Sequence, residues 1–142
     1  MRDQSTRFHF VTAIKPQTQT NADTAIVGPI IDRKGYDSLT FCLLLGTMTD
    51  ANVTGAVTFE HGDDSGLSDT AVPAATDLIG TPTLMGFQYD DDIECRKIGY
   101  VGVKRYVRVT VTPTGNDSGA LPIACVAILG TPAAGPTANP PQ

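Results

Sequence analysis

Two acidic stretches are where this chain comes nearest to carrying chemistry. The first is His61-Gly62-Asp63-Asp64-Ser65-Gly66-Leu67-Ser68-Asp69, and the second is Asp90-Asp91-Asp92-Ile93-Glu94. Calcium requires hard oxygens in a loop, so Asp63, Asp64, Asp69, Asp90 and Asp92 are the candidate metal ligands. Neither stretch has EF-hand spacing, and three consecutive Asp cannot aim every carboxylate at one ion. The solvated turn is the preferred reading of both. His61 beside Asp63 and Asp64 invites an acid–base role, but a general base needs a positioned partner and proton. No Ser or Cys lies in a GxSxG elbow or a papain-like setting, so no catalytic residue is assigned and an enzyme is not expected. With no GxGxxG or Walker A loop, no cofactor is expected either.

Cys42, Cys95 and Cys125 lie far apart inside strand-like runs. An odd count with no CxxC pair suits neither a disulfide framework nor zinc, and all three are expected to be small buried hydrophobes. The tripeptides Asn52-Val53-Thr54 and Asn116-Asp117-Ser118 match the glycosylation pattern and read as turns. Against 10 Lys and Arg stand 15 Asp and Glu, a net charge of −5. That balance argues against a nucleic-acid partner, because phosphate binding rests on clustered cations. Lys97, Lys104, Arg105 and Arg108 are close in sequence, but adjoining strands would spread them over faces and edges. Sugar binding on a sandwich calls for exposed aromatic platforms. Trp is absent and only Tyr36, Tyr89, Tyr100 and Tyr106 could serve.

The elements that position these residues are strands. Hydrophobic residues make up 41% of the 142, charged residues only 18%, and 14 Gly and 10 Pro punctuate the chain. Strands are expected over Thr24–Ile31, Ser38–Gly46, Val53–His61, Thr76–Gly80 (weakly), Ile93–Tyr100, Lys104–Thr112 and Leu121–Gly130, with Phe8–Ile14 as an eighth. Alternation sets Val107, Val109 and Val111 on one face, and Val57 and Phe59 on the inner side of their strand. Phe41–Leu45 and Ile123–Leu129 are apolar on both faces. They are either central strands or strands covered by another subunit, and they are too short to span a bilayer. Met1–Phe10 carries two Arg and an Asp with no apolar stretch after it, so no signal peptide is expected and synthesis in a cytoplasm is.

The expected fold is therefore all-β: a single antiparallel β-sandwich, jelly-roll-like, with an extended N-terminal arm and a Pro-rich C-terminal tail. Residues 1–23 form the arm, whose polar run Lys15–Asp23 reads as an extended connector, and 24–130 the body. Residues 131–142, with Pro132, Pro136, Pro140 and Pro141, form a tail expected to be extended or disordered.

Three stretches carry a resemblance: TAIKPQTQTNADTAIVGPIIDRKGYDSLTFCLLLG (Thr12–Gly46), VTFEHGDDSGLSDTAVP (Val57–Pro73) and YVGVKRYVRVTVTPTGNDSGALPIACVAILGTP (Tyr100–Pro132). Together they resemble the decoration, or cement, proteins of tailed-bacteriophage capsids. The resemblance implies a jelly roll that sits in many copies on the capsid exterior, as a dimer or trimer, and clamps neighbouring major capsid subunits. It implies assembly in a bacterial cytoplasm and no catalytic residues. Within that reading Arg7, Phe8, His9, Phe10, Val11 and Thr12 are the expected partner-binding residues, either as an added strand on a neighbouring sheet edge or as a subunit contact. The alternatives are a head–tail joining or tail structural protein, and a small carbohydrate-binding sandwich.

Overall fold

The computed structural model describes residues 4–138. In chain order the strands are β1 (His9–Thr20), β2 (Ile26–Val27), β3 (Ile31–Asp32), β4 (Tyr36–Leu45), β5 (Thr54–Gly62), β6 (Leu78–Ile79), β7 (Phe87–Gln88), β8 (Cys95–Tyr100), β9 (Tyr106–Thr114) and β10 (Ala120–Pro132). The single α-helical turn among the described residues, α1, is Pro82–Met85.

These strands make two antiparallel sheets. The first has the order β1-β10-β4-β8-β6, and the second β2-β9-β5-β7 with β3 also on β9. The fold is all-β, as expected. Its topology follows from one long hairpin. Counting β2 and β3 as one interrupted strand, β1 pairs with β10, β3 with β9, β4 with β8, and β5 with β7. Rolling that ribbon sets β10 beside β4 and β9 beside β5, which closes the two Greek keys of a jelly roll.

The core lies between the sheets and comes directly from alternation. Phe41 of β4 meets Phe59 of β5 with ring centroids 5.3 Å apart. Val107, Val109 and Val111 of β9 are fully buried, as are Leu121, Cys125 and Ala127 of β10. The break between β2 and β3 falls at Gly28-Pro29, where β1 crosses so closely that a Cβ at Gly28 would overlap the Ala13 carbonyl oxygen. Proline then removes a ladder donor, and the edge strand is cut in two.

Several boundaries differ from expectation. The segment read as an arm is part of the sandwich, since β1 runs to Thr20, pairs with β10 from His9↔Leu129 to Thr20↔Ala120, and buries Ala13 and Ile14. The polar run Lys15–Asp23 looked like a connector because its side chains face solvent and the sheet edge. Its main chain is nonetheless paired, and Asp23 accepts hydrogen bonds from Gly115 N and Asn116 N. Asn116 itself is fully buried and donates to the carbonyls of Gln19 and Ala22. The tail also differs. Thr131 and Pro132 end β10, with Pro132 opposite Tyr36. Beyond them Thr137 N donates to Thr6 O (2.9 Å) and Thr137 Oγ1 to Phe8 O (2.8 Å), which lays the tail on the N-terminal segment. Residues 1–3 and 139–142 of the expected arm and tail lie outside the described residues.

Candidate functional site

The acidic loop after β5 is a self-satisfied turn. Asp69 accepts from the main-chain N–H of Asp63 and Asp64, and Asp64 from those of Gly66 and Ser68. Asp63 pairs with Lys104 Nζ at 2.6 Å. Each carboxyl is held below the usual carboxylate range by its own donor: the Lys104 ammonium for Asp63, the Ser68 and Gly66 amides for Asp64, and the Asp63 and Asp64 amides for Asp69. Each of the three carboxylates thus already holds at least one donor, Lys104 reaching in from the segment before β9. The second acidic run disperses. Asp92 accepts from Met48 N (2.7 Å), Asp91 pairs with Arg96 (2.7 Å), and Asp90 stands exposed in the turn after β7. Among the described residues no cluster of three or more metal-ligating side chains forms.

His61 does not pair with its sequence neighbours Asp63 and Asp64. Its Nδ1 is 2.8 Å from Tyr100 Oη, and the two rings meet edge to face. Arg33 lies over the Tyr100 ring, 4.8 Å from its centroid, and donates to the carbonyls of Gly102 (2.6 Å), Lys104 (2.8 Å) and Asp37 (3.0 Å). The cluster pins the loop between β8 and β9. Sequence reasoning missed Arg33, because a lone Arg gives no sign of which distant carbonyls it will reach. His9 is likewise structural, stacked on Tyr36 at 5.5 Å.

The expected partner-binding residues separate by strand parity. Phe10 and Thr12 point out from the first sheet, while His9 and Val11 turn toward the open end of the sandwich beside Tyr36 and Leu129. Arg7 and Phe8 precede β1 and line a cleft of about 560 Å³ with Thr131, Pro132, Gly135 and Pro136.

Phe10 belongs to a larger feature. Register places Phe10, Ile128, Thr40 and Gly99 in one row across β1, β10, β4 and β8, and Thr12, Val126, Cys42 and Lys97 in the next. A third row runs through Ala124, Leu44 and Cys95. Phe10 is 45% exposed, Leu44 44%, and Ile79 beside Gly99 65%; Lys97 is the one charge in these rows. The opposite face, on the second sheet, pairs Thr58 with Thr110 and Thr54 with Thr114, and carries the ion pairs Arg108–Glu60 (2.6 Å) and Arg105–Asp32 (2.7 Å).

The cysteines follow the same parity. Cys125 points inward, and burial pushes its thiol up to about 12. Cys42 is half-buried and Cys95 exposed on the apolar face, which corrects the expectation that all three are buried. The runs around Cys42 and Cys125 are apolar because both faces of β4 and β10 are apolar, so hydropathy alone could not tell inside from outside, whereas Cys95 opens β8 in the charged run Glu94–Lys97.

The sheet edges are blunted. β1 carries two register breaks, the second holding Lys15 and Pro16. β6 and β7 have two residues each, and β2–β3 is interrupted. Short edges, bulges, Lys and Pro are the usual means of discouraging strand addition. Association by a face is thus better provided for than association by an edge.

No protein-family model and no curated protein matches this chain. Among solved structures, the SPBc2 prophage-derived protein YomS is similar over 87% of this chain and 93% of that one, at 11% identity and a TM-score of 0.43. A chain of infectious bursal disease virus, Gx strain, aligns over 87% of this chain and 32% of that one (13%, 0.42). A CBM35 from Cellvibrio japonicus Abf62 aligns over 90% and 89% (12%, 0.39). Likenesses at this level assign no function to this chain.

Proposed function

We propose that this protein is a virion structural component that decorates the exterior of a tailed-phage capsid, in many copies, and clamps neighbouring major capsid subunits. One observation carries the reading: Asp63, Asp64, Asp69, His61 and Arg33 are engaged in holding loops, while a largely apolar sheet face is left open to solvent. Such a molecule acts by contact, and many weak contacts to a repeating lattice add up by avidity. The resemblance over Thr12–Gly46, Val57–Pro73 and Tyr100–Pro132 supplies the capsid setting. A sugar-binding role is less well supported. Its platform would need grouped exposed rings, and the exposed Phe10 and Tyr89 lie on β1 of the first sheet and just after β7 of the second.

The test is quantitative mass spectrometry of density-purified particles from the source lysate, scaled to the major shell protein. Copy numbers comparable to the shell protein are expected. A handful per particle would move the role to a connector or tail part, and none would remove the virion reading.

A further inference from the structure

The outward residues of the first sheet are complementary to themselves. A line drawn along the strands between β10 and β4 has β1 and β8 at equal distances on its two sides, roughly 7 Å away at ordinary strand spacing. Turning the face over about that line keeps each row in register and exchanges its ends. Phe10 then meets Gly99, which has no side chain of its own and is bordered by Ile79, whose Cβ and Cδ1 lie 3.2 and 3.6 Å from where a Cβ would stand. Val126 meets Cys42, and Leu44 meets Ala124. Large opposes small in each case, which is what interdigitating sheet faces require.

We propose that a second copy of this chain packs on this face about a two-fold axis along the strands between β10 and β4. This deepens the assembly role proposed above by naming the self-contact, and it rests on that role only for its setting. A copy of the same face is the occupant for three reasons. The face is an open sheet surface, so it suits another sheet at about 10 Å rather than a helix in a groove. Its rows hold one charge, Lys97, which the two-fold sets beside Thr12 at the rim, so no acidic partner is called for. Its extent suits a weak pair. Four strands about 4.8 Å apart, roughly 20 Å long over the six residues of β8, give about 770 Å² of sheet over two copies, to which the projecting Phe10, Leu44 and Ile79 add. That lies at the low end of specific interfaces, so the pair forms at assembly concentrations rather than permanently.

Sedimentation velocity over micromolar to millimolar protein tests the contact. The unaltered chain should pass from monomer to dimer, Phe10→Asp should stay monomeric, and Thr58→Asp on the opposite face should dimerise as before. All three should keep the same far-UV circular dichroism. A chain that is monomeric throughout, or a Phe10→Asp variant that dimerises unchanged, overturns the proposal. A second variant guards against misfolding: Phe10→Cys with Gly99→Cys, in a background of Cys42→Ser and Cys95→Ser. Within one chain these positions are three strands, about 14 Å, apart and cannot be bridged. In the pair they face each other across the roughly 10 Å between packed sheets, beyond a disulfide but within reach of a short bis-maleimide, which should yield covalent dimers; monomers alone overturn the proposal. Particle copy number, measured separately, distinguishes the two readings. Dimers in solution with no copies on particles sink the capsid role and leave the self-contact. Copies on particles with no dimer do the reverse.

Discussion

The two outer faces of this sandwich are built from the same secondary structure and have opposite chemistry. On the second sheet, threonines oppose threonines and Arg108 is paired with Glu60, so the face meets its polar needs on its own chain. On the first sheet, Phe10, Val126, Cys42 and Leu44 stand outward with only Lys97 for charge. A β-sandwich of this size needs one apolar face per sheet, the inner one. A second apolar face adds nothing to the fold of a lone chain and exposes surface that other proteins can cover. The difference teaches where to look for function in a protein whose loops are fully occupied with structure.

Substitutions can break that comparison at graded depth. The largest effect is expected along a single strand: Phe41→Ala, on the inner side of β4, should cost about 3–5 kcal/mol in denaturant unfolding. Leu44→Ala, three residues on and facing out, should cost below about 1 kcal/mol. Equal costs would show that the outer face is already covered in the isolated chain. Next, Arg33→Ala strands the carbonyls of Gly102, Lys104 and Asp37, and a loss of about 2–4 kcal/mol is expected by the same measurement. Glu60→Gln should lower stability by less than about 1 kcal/mol, and added salt should shrink the difference, because the Arg108 pair is partly exposed.

Acid sharpens the contrast further. Hydrogen bonds from Asn52 and Ser118 hold the Asp50 carboxyl below its ordinary value, as Arg105 does for Asp32 and Lys104 for Asp63. A carboxyl whose folded value is depressed contributes stability above its unfolded value, about 4, and loses it as pH falls further. Thermal stability should therefore hold from neutral pH to about 4 and fall below it. Self-association should be nearly unchanged over pH 7 to 5, since the rows of the apolar face contain no carboxylate. The smallest perturbation is thiol labelling: Cys95 should react first, Cys42 more slowly, and Cys125 only on unfolding. Labelling of Cys42 should slow as protein concentration rises.

Legibility differed from element to element. The strands at 36–45, 54–62, 106–114 and 120–132 were readable because alternation and β-branched content are local. The interrupted pair β2 and β3 read as one strand, since the close approach of Ala13 that breaks it comes from elsewhere in the chain. The polar stretch to Thr20 read as a connector because an edge strand needs few apolar side chains when its hydrogen bonds go to β10. The acidic loop was placed as a turn, and its main-chain donors are local, but Lys104, which pairs with Asp63, lies 41 residues away.

By itself the sequence determined that this protein is a β-sandwich, which residues of its regular strands point the same way, and that β4 and β10 are apolar on both sides. Those are consequences of a two-residue period, and a period is local. Only the tertiary structure decided that β1 closes against β10, that Arg33 meets Tyr100, and that Phe10 shares a row with Gly99. Strand pairing is made by main-chain groups that every residue carries alike, so the order of strands and the composition of a face are set by packing of the whole chain rather than by any segment of it.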